Sequence, residues 1–140
     1  MDIKVKFNCE GVDWQIILET LKSVGMAYYE SDTHRKAFEA SYATIFIYNK
    51  DQLIGFGRAI SDGIYQAAVY DCAVLPEFQG KGIGKIIMNN ILSKISHCNI
   101  ILYASPGKEG FCQKQGFKKM KTGMAHFIKR KSMQEHGFTE

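Results

Sequence analysis

Val74-Leu75-Pro76-Glu77-Phe78-Gln79-Gly80-Lys81-Gly82-Ile83-Gly84-Lys85 is the stretch that decides the fold. Ahead of it Ile64 to Leu75 is apolar, β-branched and aromatic, as a strand is; behind it Ile83 to Ile95 repeats apolar residues at helical spacing. The order is strand, glycine-rich turn, helix. Glycines at 80, 82 and 84 leave backbone N–H groups clear of any Cβ, and a helix start adds unpaired donors and a positive dipole end. Such a turn suits phosphate oxygens; the plainer reading is a helix-start turn with ordinary surface lysines.

Two familiar nucleotide motifs do not fit. A Walker loop follows Gly-Lys with Ser or Thr, and the dinucleotide fingerprint spaces its glycines G-x-G-x-x-G, whereas the spacing here is G-x-G-x-G. What fits is Q-x-x-G-x-G, formed by Gln79, Gly82 and Gly84 after Asp71-Cys72-Ala73-Val74-Leu75-Pro76. This resembles the signature of the GNAT superfamily of acyl-CoA-dependent N-acyltransferases. A second element, Gly110-Phe111-Cys112-Gln113-Lys114-Gln115-Gly116-Phe117, is similar to the family's downstream F-Y-x-K-x-G-F segment. The resemblance covers Leu53 to Phe117 well and the two ends poorly.

The chain has 140 residues, 46% hydrophobic and 23% charged, which predicts one ordinary globular domain and excludes a fibre or a disordered tail protein. Cys9, Cys72, Cys98 and Cys112 form no C-x-x-C pair, and the start lacks an apolar core of signal-peptide length. Reduced thiols in the cytoplasm are expected. No apolar run approaches the roughly 18 residues of a membrane span. Net charge is +4, and Gly110 to Gln134 holds seven Lys or Arg with no acidic residue. Such asymmetry can mark nucleic acid or a polyanionic ligand, or simply a solvated face. Coenzyme A, with its pyrophosphate and 3′-phosphate, accounts for part of it, so a nucleic-acid partner is disfavoured.

Ile3 to Phe7 alternates apolar residues with Lys4 and Lys6, an edge strand. Val12 to Val24 has helical spacing and Gly25 supplies a left-handed stop. Ser31 or Asp32 is placed to cap a second helix to about Ser41, with Ala37, Phe38 and Ala40 inward. Tyr42 to Tyr48, Leu53 to Ile60 and Ile64 to Leu75 read as three antiparallel strands. After the main helix, Asn99 to Ala104 reads as a central strand, parallel to the one before the helix. Pro106 opens a short helix ending near Gly116, Phe117 to Met120 and Ala125 to Arg130 read as two short strands, and the tail from about residue 131 reads as frayed. The expected α/β order is β-α-α-β-β-β-α-β-α-β-β. The resemblance further implies a mixed sheet splayed after the fourth strand, with helices on both faces, so that pantetheine amides pair with backbone at Cys72, Ala73 and Val74.

The resemblance assigns the pyrophosphate to main-chain N–H groups of Gln79, Gly80, Lys81, Gly82, Ile83 and Gly84, with charge from Lys81 and Lys85. Phe111 and Lys114 would line the cosubstrate acetyl-CoA, or serve as core and surface. N-acetyl transfer needs a neutral amine and protonation of the departing thiolate. An alkyl ammonium has a pKa of about 10.4, so a base or water must take a proton. Asp71 is the nearest acidic residue in sequence; its alternative is a structural hydrogen bond. Where family members place a Tyr to protonate the thiolate, this chain has Cys112. A thiol can donate a proton, but Cys is also a small buried hydrophobe; Tyr103, Tyr70 or water are the other candidates. Tyr28, Tyr29 and Glu30, with Asp32, form an aromatic and acidic cluster where the family often has its acceptor wall, suited to a cationic amine. The four histidines share no metal-ligand spacing, and no metal is expected.

These readings describe direct acetyl transfer to a primary amine of a small molecule or peptide, since no base is visible to activate Cys112 as a nucleophile. A protein that keeps the cradle but only senses acyl-CoA is the alternative. A homodimer is compatible with the sequence, which does not specify assembly.

Overall fold

A computed structural model describes residues 1–140. Within it, Met1–Leu102 and Tyr103–Glu140 are two compact units. The first holds a five-stranded mixed sheet in the order β1 (Ile3–Lys6), β2 (Ala43–Asn49), β3 (Gln52–Ser61), β4 (Gln66–Val74), β5 (Asn99–Ile101). The first four pair antiparallel, and β4 with β5 parallel, as a crossover through a helix requires. Two helices, α1 (Trp14–Ser23) and α2 (Ser31–Glu39), precede β2, and α3 (Ile83–Lys94) joins β4 to β5.

Period-two alternation sorts the strands between two cores. Phe46, Phe56 and Ala73 turn toward α1 and α2, where they meet Val12, Ile17, Leu21, Phe38 and Leu53. Trp14, Phe38 and Phe46 pack as tilted and edge-on rings, with centroids 5.6 to 6.0 Å apart. On the other face Gly55 and Gly57 lie under Ile83, Ile87 and Ile91 of α3. A Cβ at Gly57 would stand 2.7 Å from Cys72 Sγ and 2.9 Å from Ile91 Cδ1, so the missing side chain is what lets α3 sit this close to the sheet.

Helix ends follow local chemistry. Asp13 caps α1 by accepting from the Gln15 N–H. At its far end Gly25, with φ 79°, closes a Schellman motif in which Met26 N–H reaches Leu21 C=O and Gly25 N–H reaches Lys22 C=O. The expected cap of α2 is corrected: Glu30 occupies that position without a side-chain bond, because Ser31 Oγ donates to Gln15 and Asp32 is engaged by Arg35. Phe38 is buried as expected, while Ala40 is exposed past the helix end.

Other corrections concern the C-terminal part. β5 is an edge strand of three residues, with Ile101 half exposed; an apolar run alone does not tell a central strand from an edge one. In the second unit α4 (Glu109–Lys114) matches the expected short helix and ends in a Schellman motif at Gly116. Residues 117–120 and 125–130 are not strands. They enter no ladder, Lys118, Lys119 and Lys129 interrupt their apolar runs, and Met120 and Ile128 are exposed, so neither segment buries a face. The tail expected to fray instead forms α5 (Arg130–Glu135), closed by Gly137 with φ 84° and by Phe138 N–H to Met133 C=O.

Candidate functional site

The turn after β4 is assembled from short-range bonds. Leu75 N–H donates to Ile54 C=O, Pro76 opens a single 3₁₀ turn over Pro76–Phe78, and Gln79 N–H returns to Pro76 C=O. The Gln79 side-chain amide donates to Val74 C=O at 3.1 Å. Gln79 therefore braces the turn; its own N–H and its side-chain amide are both used inside the protein, as is the Val74 carbonyl. This corrects the expectation that the Gln79 main-chain N–H faces the pyrophosphate.

Beyond Gln79 the backbone opens. Gly80 and Gly82 have φ of 76° and 84°, a left-handed conformation that costs L-residues strain, and a Cβ at either would stand in open space. The N–H groups of residues 80 to 85 have no acceptor in the chain; the first bond into the helix runs from Ile86 N–H to Gly82 C=O. Ile83, 2% exposed, anchors the helix start in the core. Six successive donors at the positive end of a twelve-residue helix, with exposed Lys81 and Lys85, make an anion cradle. These residues fit the phosphates of a coenzyme A moiety.

Behind the cradle β4 is irregular. Its ladder to β5 spans only Gln66 to Ala68, so β4 runs on past the end of its parallel neighbour. Toward β3 the register slips by one: Tyr70 faces Arg58 and Ala73 faces Phe56, leaving Asp71 and Cys72 opposite Gly57. Asp71 takes φ 55° in this bulge, a conformation Asp tolerates better than most residues. Its carboxylate accepts from Arg58 Nε at 2.7 Å, and both side chains are largely buried. Asp71 thus has the structural partner that was its alternative role. Arg58 also donates to Ser41 Oγ and lies over the rings of Phe38 and Tyr70.

The expected acceptor cluster lies at the start of α2. Tyr28 and Tyr29 are exposed, Lys22 Nζ sits over the Tyr28 ring, and Glu30 is the exposed cap residue. Tyr29 N–H donates to Nε2 of the buried His34 at 2.8 Å. Burial holds the His34 imidazole below its ordinary pKa, against a smaller opposing pull from Asp71. Neither His34 nor Arg58 stands out by motif; the signal for Arg58 was a lone arginine in an otherwise apolar strand, which needs a carboxylate partner once buried.

The remaining expected residues belong to the second unit. Phe111, Cys112 and Lys114 lie on α4, with Cys112 half-buried and Phe111 and Lys114 exposed. Burial, and then the Glu109 carboxylate one turn earlier, push the Cys112 thiol up, so it stays protonated at neutral pH. Tyr103 packs edge-on against Phe127 and Phe138. No three His, Cys, Asp or Glu side chains converge as metal ligands.

A bulged strand, an open glycine turn and a helix start carrying free amides together form an anion-binding cradle at the end of β4. The family model for the acetyltransferase (GNAT) domain matches residues 10–132, and the chain belongs to that family. It is 33% identical to an uncharacterised ycf52-like N-acetyltransferase of Prochlorococcus marinus over 71% of this chain and 59% of that one. To a chloroplastic serotonin N-acetyltransferase 2 of Oryza sativa subsp. japonica it is 29% identical over 93% and 70%. A probable acetyltransferase from meticillin-resistant Staphylococcus aureus superposes with a TM-score of 0.79 at 26% identity, over 90% of this chain and 99% of that one. The chain spans less than two thirds of the length of several of its relatives.

Proposed function

We propose that the protein transfers an acetyl group from acetyl-CoA directly to a primary amine of a small molecule or peptide. The observation that carries this reading is the run of amides from Gly80 to Lys85, which have no acceptor in the chain. Acetyl-CoA supplies the acetyl group as a thioester. The cradle binds its pyrophosphate, and the end of β4 around Ala73 lies alongside the pantetheine arm. The amine nitrogen attacks the thioester carbonyl, a C–N bond forms and the C–S bond breaks. One proton leaves the amine and one joins the CoA sulfur.

Asp71, tied to Arg58, holds the bulge and leaves the amine proton to water. Cys112, kept as a thiol beside Glu109, suits proton donation and does not suit nucleophilic attack. The exposed Tyr28, Tyr29 and Glu30 favour a cationic amine with an apolar or aromatic body. The serotonin relative makes arylalkylamines a natural first choice. Four free thiols suit a reducing compartment such as the cytoplasm.

The test is release of free CoA from acetyl-CoA against arylalkylamines, polyamines, aminosugars, amino acids and peptides. Gly82→Trp, checked for folding by circular dichroism, serves as the blocked control. Amine-dependent release that the control loses supports the reading. CoA binding without release from any amine supports an acyl-CoA sensor instead.

A further inference from the structure

We infer that His34 is a positioning residue that pins the segment Tyr28 to Glu30 in place as the acceptor wall. This rests on the reading of that segment as part of the amine site. Tyr29 lies outside α2, and its N–H is bonded by no backbone carbonyl; its acceptor is the His34 ring nitrogen, at 2.8 Å. The ring of Tyr29 lies against the same imidazole, centroids 5.7 Å apart at 57°. His34 is 3% exposed, so its ring lies within the protein and out of reach of solvent. Meanwhile the Tyr29 side chain is 60% exposed: the backbone is fixed and the ring is presented to solvent.

For Nε2 to accept, the imidazole must be neutral with its proton on Nδ1. Protonation would place an N–H opposite the Tyr29 N–H, remove the bond and release the wall. The groups that face His34 are the Asp71 carboxylate from β4, the Arg58 guanidinium from β3 and the Tyr29 phenol from the linker. Because Asp71 and Arg58 neutralise one another, their pair leaves the imidazole without a dedicated counter-ion. The wall is therefore set when the imidazole is neutral and loosened by acid.

Two variants of the full chain test this. His34→Gln keeps an acceptor for the Tyr29 N–H and cannot titrate; His34→Leu removes the acceptor. In steady-state kinetics with whichever amine is turned over, His34→Leu is expected to raise the KM for amine by about fivefold, the worth of one hydrogen bond of about 1 kcal/mol. The KM for acetyl-CoA should stay within about twofold, and His34→Gln should restore the amine KM. Falling pH protonates the amine itself in every variant. The diagnostic quantity is the ratio of wild-type to His34→Gln amine KM, expected to rise as pH falls through the imidazole range.

Independently of turnover, the ¹⁵N–¹H resonance of Tyr29 in the labelled protein should move with pH in the wild type and stand still in His34→Gln. A Tyr29 amide that does not titrate overturns the pinning. Titration with equal changes in both KM values, or none in His34→Leu, overturns the positioning role. An absence of turnover with any amine removes the acceptor reading itself, and leaves the amide titration to judge the bond alone.

Discussion

Arg58 Nε meets Asp71 Oδ2 at 2.7 Å across β3 and β4, at the one place where the register between these strands slips. The pair clamps a bulge whose αL residue is not glycine. Removing Arg58 leaves a largely buried carboxylate without its counter-charge. Arg58→Met is expected to lower stability by about 2 to 4 kcal/mol, slightly under the usual cost for a fully buried pair. Asp71→Asn, which tolerates the same φ, should cost less and reduce kcat by less than about tenfold. Urea unfolding and steady-state assays check both. A collapse of kcat in Asp71→Asn with unchanged stability would make Asp71 the base after all.

Gly57 sets how near α3 comes to the sheet. In Gly57→Ala the new Cβ meets Cys72 Sγ and the side chains of Ile87 and Ile91 at 3.0 Å or less, and overpacking of about 1 to 3 kcal/mol is expected in urea unfolding. Adding Cys72→Ala should recover part of the loss. Additive effects of the two substitutions would show that the contact does not matter.

Stability should fall in mild acid through His34. Its folded pKa is depressed, so the neutral form is favoured on folding and its contribution is complete above the unfolded value of about 6.5. As pH drops below that value the unfolded chain takes up the proton first, and stability declines until the folded pKa is passed. Thermal melts from pH 7.5 to 4.5 should show a steeper decline in the wild type than in His34→Gln. Parallel curves would contradict the buried neutral imidazole.

Cys112 offers a chemical readout on the second unit. Glu109→Gln removes the negative charge that helps hold the thiol protonated, so its pKa should fall and its alkylation by iodoacetamide at pH 8 should speed up by about twofold. Peptide mapping separates it from Cys9, Cys72 and Cys98. Unchanged alkylation would assign the elevated thiol to burial alone.

Features written in local chemistry were legible in the sequence. Gly25 closes α1, the alternation from Ile3 marks an edge strand, and the glycine-rich turn joins strand β4 to helix α3. Features that depend on distant partners were not. The bulge at Asp71 arises from strand pairing, with no glycine to announce it, and the burial of His34 depends on where α2 docks. The strands read at 117–120 and 125–130 show the converse error: short apolar windows resemble strands, but without a neighbouring ladder they stay irregular. Gly137 was a visible stop signal for α5 that a basic tail obscured.

The most direct measurement is a titration of unlabelled CoA into ¹⁵N-labelled protein while the amide resonances of Gly80 to Lys85 are followed. Saturable, concerted shifts of these six amides, absent in Gly82→Trp, are expected if phosphate oxygens take the donors that have no acceptor in the chain. CoA binding that leaves these amides unmoved, or no binding at all, would contradict the cradle and the transferase reading built on it.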